Sequence, residues 1–187
     1  MGESSLLKIH NFQEQLRWGE EQSCEGFWDA VYRKAFPTML NHMQCLGSSD
    51  NQRMGIDRVI QLSNGKTLYI EEKKRRGVYP DILLEYVSVD RTGAPGWIEK
   101  DLIVDYLAYA FIPNKRCYLY SYPLLRRAWI NYKDSWLKTY RTIKAQNEGY
   151  ATLSVAIPID VLKQSVAVAS IIDVSDEYSE GGYYGSN

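Results

Sequence analysis

Gly55-Ile56-Asp57-Arg58-Val59-Ile60-Gln61-Leu62, Ser63-Asn64-Gly65-Lys66 and Thr67-Leu68-Tyr69-Ile70-Glu71-Glu72-Lys73-Lys74 follow one another without a break. Two apolar, β-rich segments flank an Asn-Gly pair, the strongest short-range signal for a β-hairpin. Closing that hairpin carries Asp57 on one strand beside a glutamate and a lysine on the next. Which glutamate it meets depends on the turn. Side chains alternate across a strand, so a two-residue turn at Asn64-Gly65 sets Asp57 against Glu72. A three-residue turn at Ser63-Asn64-Gly65, closed by a bulge, sets it against Glu71 instead. Leu68 and Ile70 share a face with Glu72, whereas Tyr69 shares one with Glu71 and Lys73. The more polar face suits an ion site better, so the preferred set is Asp57, Glu71 and Lys73.

Outside the hairpin the chain mixes helical and strand patterns. From Asn11 to Phe36 the residues Phe12, Leu16, Cys24, Phe27, Trp28, Val31, Tyr32 and Ala35 recur at helical spacing, and Pro37 ends the run. One long helix or two short ones fit, because Gly19 and Gly26 weaken the middle. Cys45 to Met54 reads as a loop. A basic turn, Lys73 to Gly77, follows the hairpin, then a strand over Asp81–Val89 and a loop over Asp90–Gly96. Trp97–Phe111 is expected to be a helix, Arg116–Tyr122 a strand, and Leu124–Tyr140 a helix opened by Pro123. Tyr150–Ile157 reads as a strand and Pro158–Val166 as a short helix. The fold class expected is α/β (α+β): one domain over residues 1–174, with a mixed sheet of four to five strands flanked by helices. A three-strand meander would lead into a helical crossover. Residues 175–187 read as a flexible, acidic, Gly/Tyr-rich tail.

The 187 residues carry 22 basic and 23 acidic side chains, net −1, so no global basicity points to nucleic acid. Affinity for a polyanion must then come from a local patch. Three scattered cysteines and two histidines offer no zinc-binding spacing, and sparse cysteine fits a reducing cytoplasm. No leader sequence is read at the N-terminus, and the apolar run Val166 to Ile172 is too short to span a bilayer. The expectation is a cytoplasmic protein with no membrane partner. Walker, GxGxxG and HExxH motifs are absent from the sequence.

Two carboxylates held together repel unless a cation neutralises them, and hard oxygen ligands suit Mg²⁺ or Mn²⁺. A lysine beside them can orient a water or stabilise charge on a phosphate. Those are the ingredients of metal-dependent phosphodiester hydrolysis. With an Asp opening the hairpin and a (D/E)xK on its second strand, the αβββαβ order resembles the PD-(D/E)XK nuclease superfamily, particularly its compact phage-type members. The resemblance covers Gln13 to Tyr122. It implies a restriction-endonuclease-like core and a Mg²⁺- or Mn²⁺-dependent DNA nuclease of a phage or bacterium, acting in DNA processing, recombination or repair. The setting implied is the bacterial or phage-infected host cytoplasm. Nucleases of the resolving kind are commonly dimers, so a homodimer is implied as well.

By that resemblance Asp57 and Glu71 hold the metal and Lys73 is the catalytic lysine. ExK fits twice in Glu71-Glu72-Lys73-Lys74, which keeps Glu72 as an alternative ligand. A helix glutamate that contributes to the shell in similar nucleases is matched by Glu25, six residues after Gly19. Lys74, Arg75 and Arg76 put charge where DNA phosphates would be neutralised; the plainer reading is a solvated turn guarding a sheet edge. Pro80-Asp81 spells the family's literal PD, but Glu85-Tyr86-Val87 lacks the lysine and reads as a decoy, with Glu85 at most an additional carboxylate. Asp101, Asp105, Arg126 and Arg127 read as ordinary helix-face residues. The alternative to an enzyme is a non-catalytic nucleic-acid-binding or assembly protein that keeps the fold, and an RNA substrate is a third reading.

Overall fold

The computed structural model describes residues 25–45, 54–166 and 169–176. The expected helical pattern before residue 25, most of the polar loop and the tail beyond 176 lie outside the described residues. In chain order the elements are α1 (Glu25–Ala35), β1 (Met39–Gln44), β2 (Arg58–Leu62), β3 (Thr67–Arg75), β4 (Asp81–Val89), β5 (Ala94–Pro95), β6 (Tyr106–Phe111), β7 (Arg116–Ser121), α2 (Tyr122–Thr139), β8 (Thr142–Gln146), β9 (Ala151–Pro158), α3 (Ile159–Ser165) and β10 (Ala169–Asp173). A short 3-10 turn, Ile112–Asn114, joins β6 to β7.

Two sheets form, where one was expected. The larger is mixed and six-stranded, in the order β1-β2-β3-β6-β7-β10; the smaller is four-stranded, β5-β4-β9-β8. β3 and β6 are the parallel pair, and the other pairings are antiparallel. The chain after β3 therefore leaves the large sheet, lays β4 down in the second sheet, and returns through residues 97–105 to enter β6. This corrects the three-strand meander, since β4 pairs with β9 and β5 and not with β3.

It also corrects the helix expected over Trp97–Phe111. Residues 97–105 carry no helix, and Tyr106–Phe111 is a central strand with Leu107 through Phe111 all buried. A strand covered on both faces shows a continuous apolar run, which periodicity alone does not separate from a buried helix. Strands β1, β5, β8 and β10 are also absent from the sequence reading: polar residues blur the alternation of β1 and β8, and β5 is only two residues long. The segments read as the hairpin, β4, β7, α2, β9 and α3 form close to their expected limits.

Two apolar layers lie on either side of the large sheet. On one side α1 packs Phe27, Trp28, Val31 and Tyr32 against Ile60, Leu68, Ile70, Ala108, Ala110, Cys117 and Leu119. On the other, Leu107, Tyr109, Phe111, Tyr118 and Tyr120 meet Ile82, Leu84, Val155 and Ile157 of the small sheet, together with Leu125, Trp129 and Trp136 of α2 and Leu162 of α3. Each such aliphatic or aromatic side chain contributes about 1.5–3 kcal/mol by leaving water. Strand alternation thus dictates the destination of β3's charged end. Even-numbered residues face α1, and odd-numbered ones face the small sheet.

Candidate functional site

The hairpin turn decides which glutamate meets Asp57. Leu62 N–H donates to Lys66 C=O at 2.9 Å and Gly65 N–H to Leu62 C=O at 3.0 Å, with Gly65 at φ +82. That is the three-residue loop Ser63-Asn64-Gly65 with its glycine in the left-handed region. Register follows from it: Arg58 pairs with Ile70, so Asp57 stands opposite Glu71. Asp57 N–H donates to Ile70 C=O (2.9 Å), and Glu72 N–H donates to the Asp57 carboxylate at 2.7 Å through Oδ2. The aspartate is thereby fixed at the mouth of the hairpin by backbone groups.

Asp57, Glu71 and Lys73 line one cleft of ≈ 400 Å³, together with Gly55, Glu85, Trp97, Lys100 and Leu102. Glu71 is 5 % exposed, and its Oε1 accepts from Lys73 Nζ. Burial pushes the Glu71 carboxyl above its ordinary value; Lys73 pulls it down and Asp57 pushes it further up. Burial opposes the Lys73 charge, yet Glu71, Asp57 and Glu85 outweigh it and hold the ammonium above its ordinary pKa. Glu85 is raised as well, by burial, against the pull of Lys73 and Lys100. The cleft is thus a shared electrostatic unit of three carboxylates and two cations.

The small sheet and the 97–105 segment form the far wall. β4 is irregular between Glu85 and Val87, where the register against β9 slips; bulges of this kind re-aim side chains and are common next to sites. The slip lets Gly96 N–H donate to Tyr86 C=O (3.0 Å) and Ile98 N–H to Glu85 C=O (3.2 Å). Gly96 sits so close that a Cβ there would lie 2.2 Å from Glu85 O. The Tyr122 hydroxyl lies 2.8 Å from the carbonyls of both Trp97 and Lys100 and pins the segment from α2. Lys133 reaches Glu99 to the same effect. Trp97 is anchored in the core, as its position after Gly96 suggests.

Glu72 and Glu25 lie elsewhere, which corrects their expected place in the metal shell. Glu72 points to α1, where its Oε1 accepts from Arg58 Nε (2.5 Å) and Tyr32 O–H (2.7 Å). Arg58, fully buried, donates its Nη atoms to both Glu25 oxygens at 2.8 and 2.9 Å and to His42 Nδ1 at 2.8 Å. His42 Nε2 then faces Asp29 Oδ1 at 3.1 Å. Burial raises the Glu72 pKa against the pull of Arg58, and the hydrogen bond from Arg58 lowers that of Glu25. These groups staple α1 to the sheet.

In the basic run, alternation separates the residues. Arg75 is on the cleft side, donating to Tyr109 O–H at 3.0 Å and stacking over Tyr79 at 4.2 Å from the ring centre. Lys74 points the other way, toward the field of Glu25, and Arg76 is exposed at the strand end. Asp105 is no helix-face residue: its carboxylate accepts Tyr69 N–H at 2.8 Å, where β3 and β6 begin to pair. Asp81 opens β4 and does not line the cleft, whereas Glu85 does. Lys100 escaped the sequence reading altogether. Its one signal was a charged triplet, Glu99-Lys100-Asp101, soon after the turn-forming Pro95-Gly96.

Among the described residues no three His, Cys, Asp or Glu side chains form a ready-made metal cluster. Mg²⁺ is ordinarily held by one or two carboxylates plus waters and substrate phosphates, so Asp57 and Glu71 are the residues that could hold one in this cleft. Burial and the neighbouring Asp57 both disfavour the charged form of Glu71, a cost that a divalent cation bound there would offset. Among the described residues no helix is long and apolar enough to cross a membrane. No protein-family model, curated protein or solved structure matches the chain.

Proposed function

We propose that the protein is a Mg²⁺-dependent deoxyribonuclease of the PD-(D/E)XK kind. The observation that carries this reading is the register at the hairpin, which aligns Asp57, Glu71 and Lys73 on one wall of a single cleft. Asp57 and Glu71 would hold the cation. When bound, it would supply Lewis-acid polarisation of the phosphodiester and a more acidic water. In the metal-free cleft the surrounding carboxylates hold the Lys73 ammonium above its ordinary pKa; it would serve as a positioning and charge-stabilising donor toward water and phosphorus oxygens. Glu85, across the cleft and raised by burial, would exchange a proton with water or the leaving oxygen. Lys100 in the cleft lining, with Arg75 on the same face of β3 as Lys73, would add positive charge toward a polyanion.

A restriction-endonuclease-like core is part of the same proposal. The parallel β3–β6 pair, with α1 on one face and Asp57 and Glu71 on the other, supports it. The crossover departs from the expected form, running through β4 and the small sheet instead of a helix.

Nicking of supercoiled plasmid with Mg²⁺ tests the reading. Asp57→Asn, Glu71→Gln and Lys73→Met are each expected to lower the rate by about 10²-fold or more, with folding checked by thermal melts. If the wild type leaves plasmid, linear, single-stranded and four-way DNA intact with Mg²⁺ and Mn²⁺, the non-catalytic binding protein becomes the better account.

A further inference from the structure

A second, smaller hollow of ≈ 240 Å³ adjoins the cleft, lined by Asp101, Leu102, Tyr122, Arg126, Arg127 and Ile130 among others. Leu102 is common to both spaces. Lys100, one residue before Asp101, faces the cleft, and the Tyr122 hydroxyl fixes the backbone between them. The two hollows are therefore held in a set relation, a residue apart along one pinned segment.

The chemistry of the smaller hollow is unspent positive charge over an apolar wall. Arg126 Nε is buried and has no hydrogen-bond partner among the described residues. Its Nη1 comes only within 3.5 Å of Asp101, whose side chain is 93 % exposed. Arg127 is exposed, and its guanidinium makes no ion pair or hydrogen bond among the described residues. A guanidinium offers five donors in a planar fork that matches a phosphate, and here two such forks stand on consecutive residues of α2. Leu102 and the outward Ile130, 64 % exposed, supply apolar surface of the kind a sugar or base covers.

We infer that this hollow is a phosphate subsite, in which Arg126 and Arg127 seat the phosphodiester flanking the one cut in the cleft, while Leu102 and Ile130 cover its sugar. The inference rests on the nuclease reading and gives it a polarity: the strand runs from the cleft over Leu102 toward α2. Asp101 acts as a placeholder whose carboxylate the phosphate displaces. Arg126 and Arg127 are positioning residues, since they do not reach the scissile group.

Binding to short fluorescent oligonucleotides separates this from a merely structural role. The full-length Asp57→Asn protein, with Mg²⁺, is titrated by fluorescence anisotropy over a range of salt. Adding Arg127→Gln, a surface change, is expected to weaken binding for all sequences and to lower the slope of log K against log salt by about 1. Arg126→Gln repeats the effect if its melt is unchanged, and Asp101→Asn tightens binding. A single methylphosphonate, walked along the oligonucleotide, should cost affinity at one position next to the cut, and that cost should vanish in Arg127→Gln. Unchanged slopes with a neutral Asp101→Asn overturn the subsite while Asp57-dependent cleavage still stands. Absence of both cleavage by the wild type and binding by the variant overturns the two together.

Discussion

Glu71 and Glu72 are chemical twins one position apart, and the fold gives them opposite jobs. Glu72 closes a buried pair with Arg58, so Arg58→Ala strands a desolvated carboxylate and is expected to cost about 3–5 kcal/mol, read by urea unfolding. Glu72→Gln should destabilise the protein yet leave plasmid nicking within a few-fold, whereas Glu71→Gln silences it; the reverse result would move the site to the other face of the strand. Burial raises the Glu71 pKa above its ordinary 4.5 even with Lys73 beside it. The folded protein thus holds that proton more tightly than the unfolded chain. Its stabilising contribution is complete below the unfolded value and is lost as pH climbs through the raised folded value. In EDTA, the unfolding free energy of the wild type minus that of Glu71→Gln should fall as the pH rises above the ordinary value of 4.5; a flat difference would contradict the raised pKa. The turn left Glu71 and Glu72 open, and the Asp57–Glu71–Lys73 set was legible only from the two-residue period and the more polar face. Glu85 and Lys100 were not, because they approach through tertiary contacts that no spacing encodes.

At the scale of elements, the far wall depends on places where a side chain cannot fit. Gly55 sits at φ +74, and a Cβ there would lie 2.7 Å from Leu102 Cδ1 and 3.0 Å from Glu71 Oε2. Gly55→Ala is expected to cost about 1–3 kcal/mol from backbone strain and to lower nicking further by displacing Glu71 or Leu102. A variant with wild-type stability and rate would show that the segment tolerates the shift. Hairpin, β4, β7, α2 and β9 announced themselves through turn residues, an N-terminal proline and alternation. Tyr106–Phe111 did not. Its run Tyr-Leu-Ala-Tyr-Ala-Phe lies between two apolar layers, and only the parallel partner β3 tells it from a helix. Missing that strand hid the small sheet as well, because β4 then had no reason to leave the first one.

For the molecule as a whole, a cation that binds the folded cleft and not the unfolded chain must raise thermal stability. At about 100 times its dissociation constant, Mg²⁺ is expected to add about 2.7 kcal/mol to the wild type and much less to Asp57→Asn. Equal shifts in both proteins would place the ion elsewhere. The excursion of the chain between β3 and β6 carries one last implication, for timing. Asp57 and Glu71 are neighbours through a local turn, but Glu85 and Lys100 join them only after β4 has found β9, some seventy residues downstream in the pairing of Leu84 with Val155. Distant pairings of that sort form late and slowly. A chain still leaving the ribosome therefore lacks the far wall of the cleft until β9 has been made, and under the proposed function no complete site exists before then.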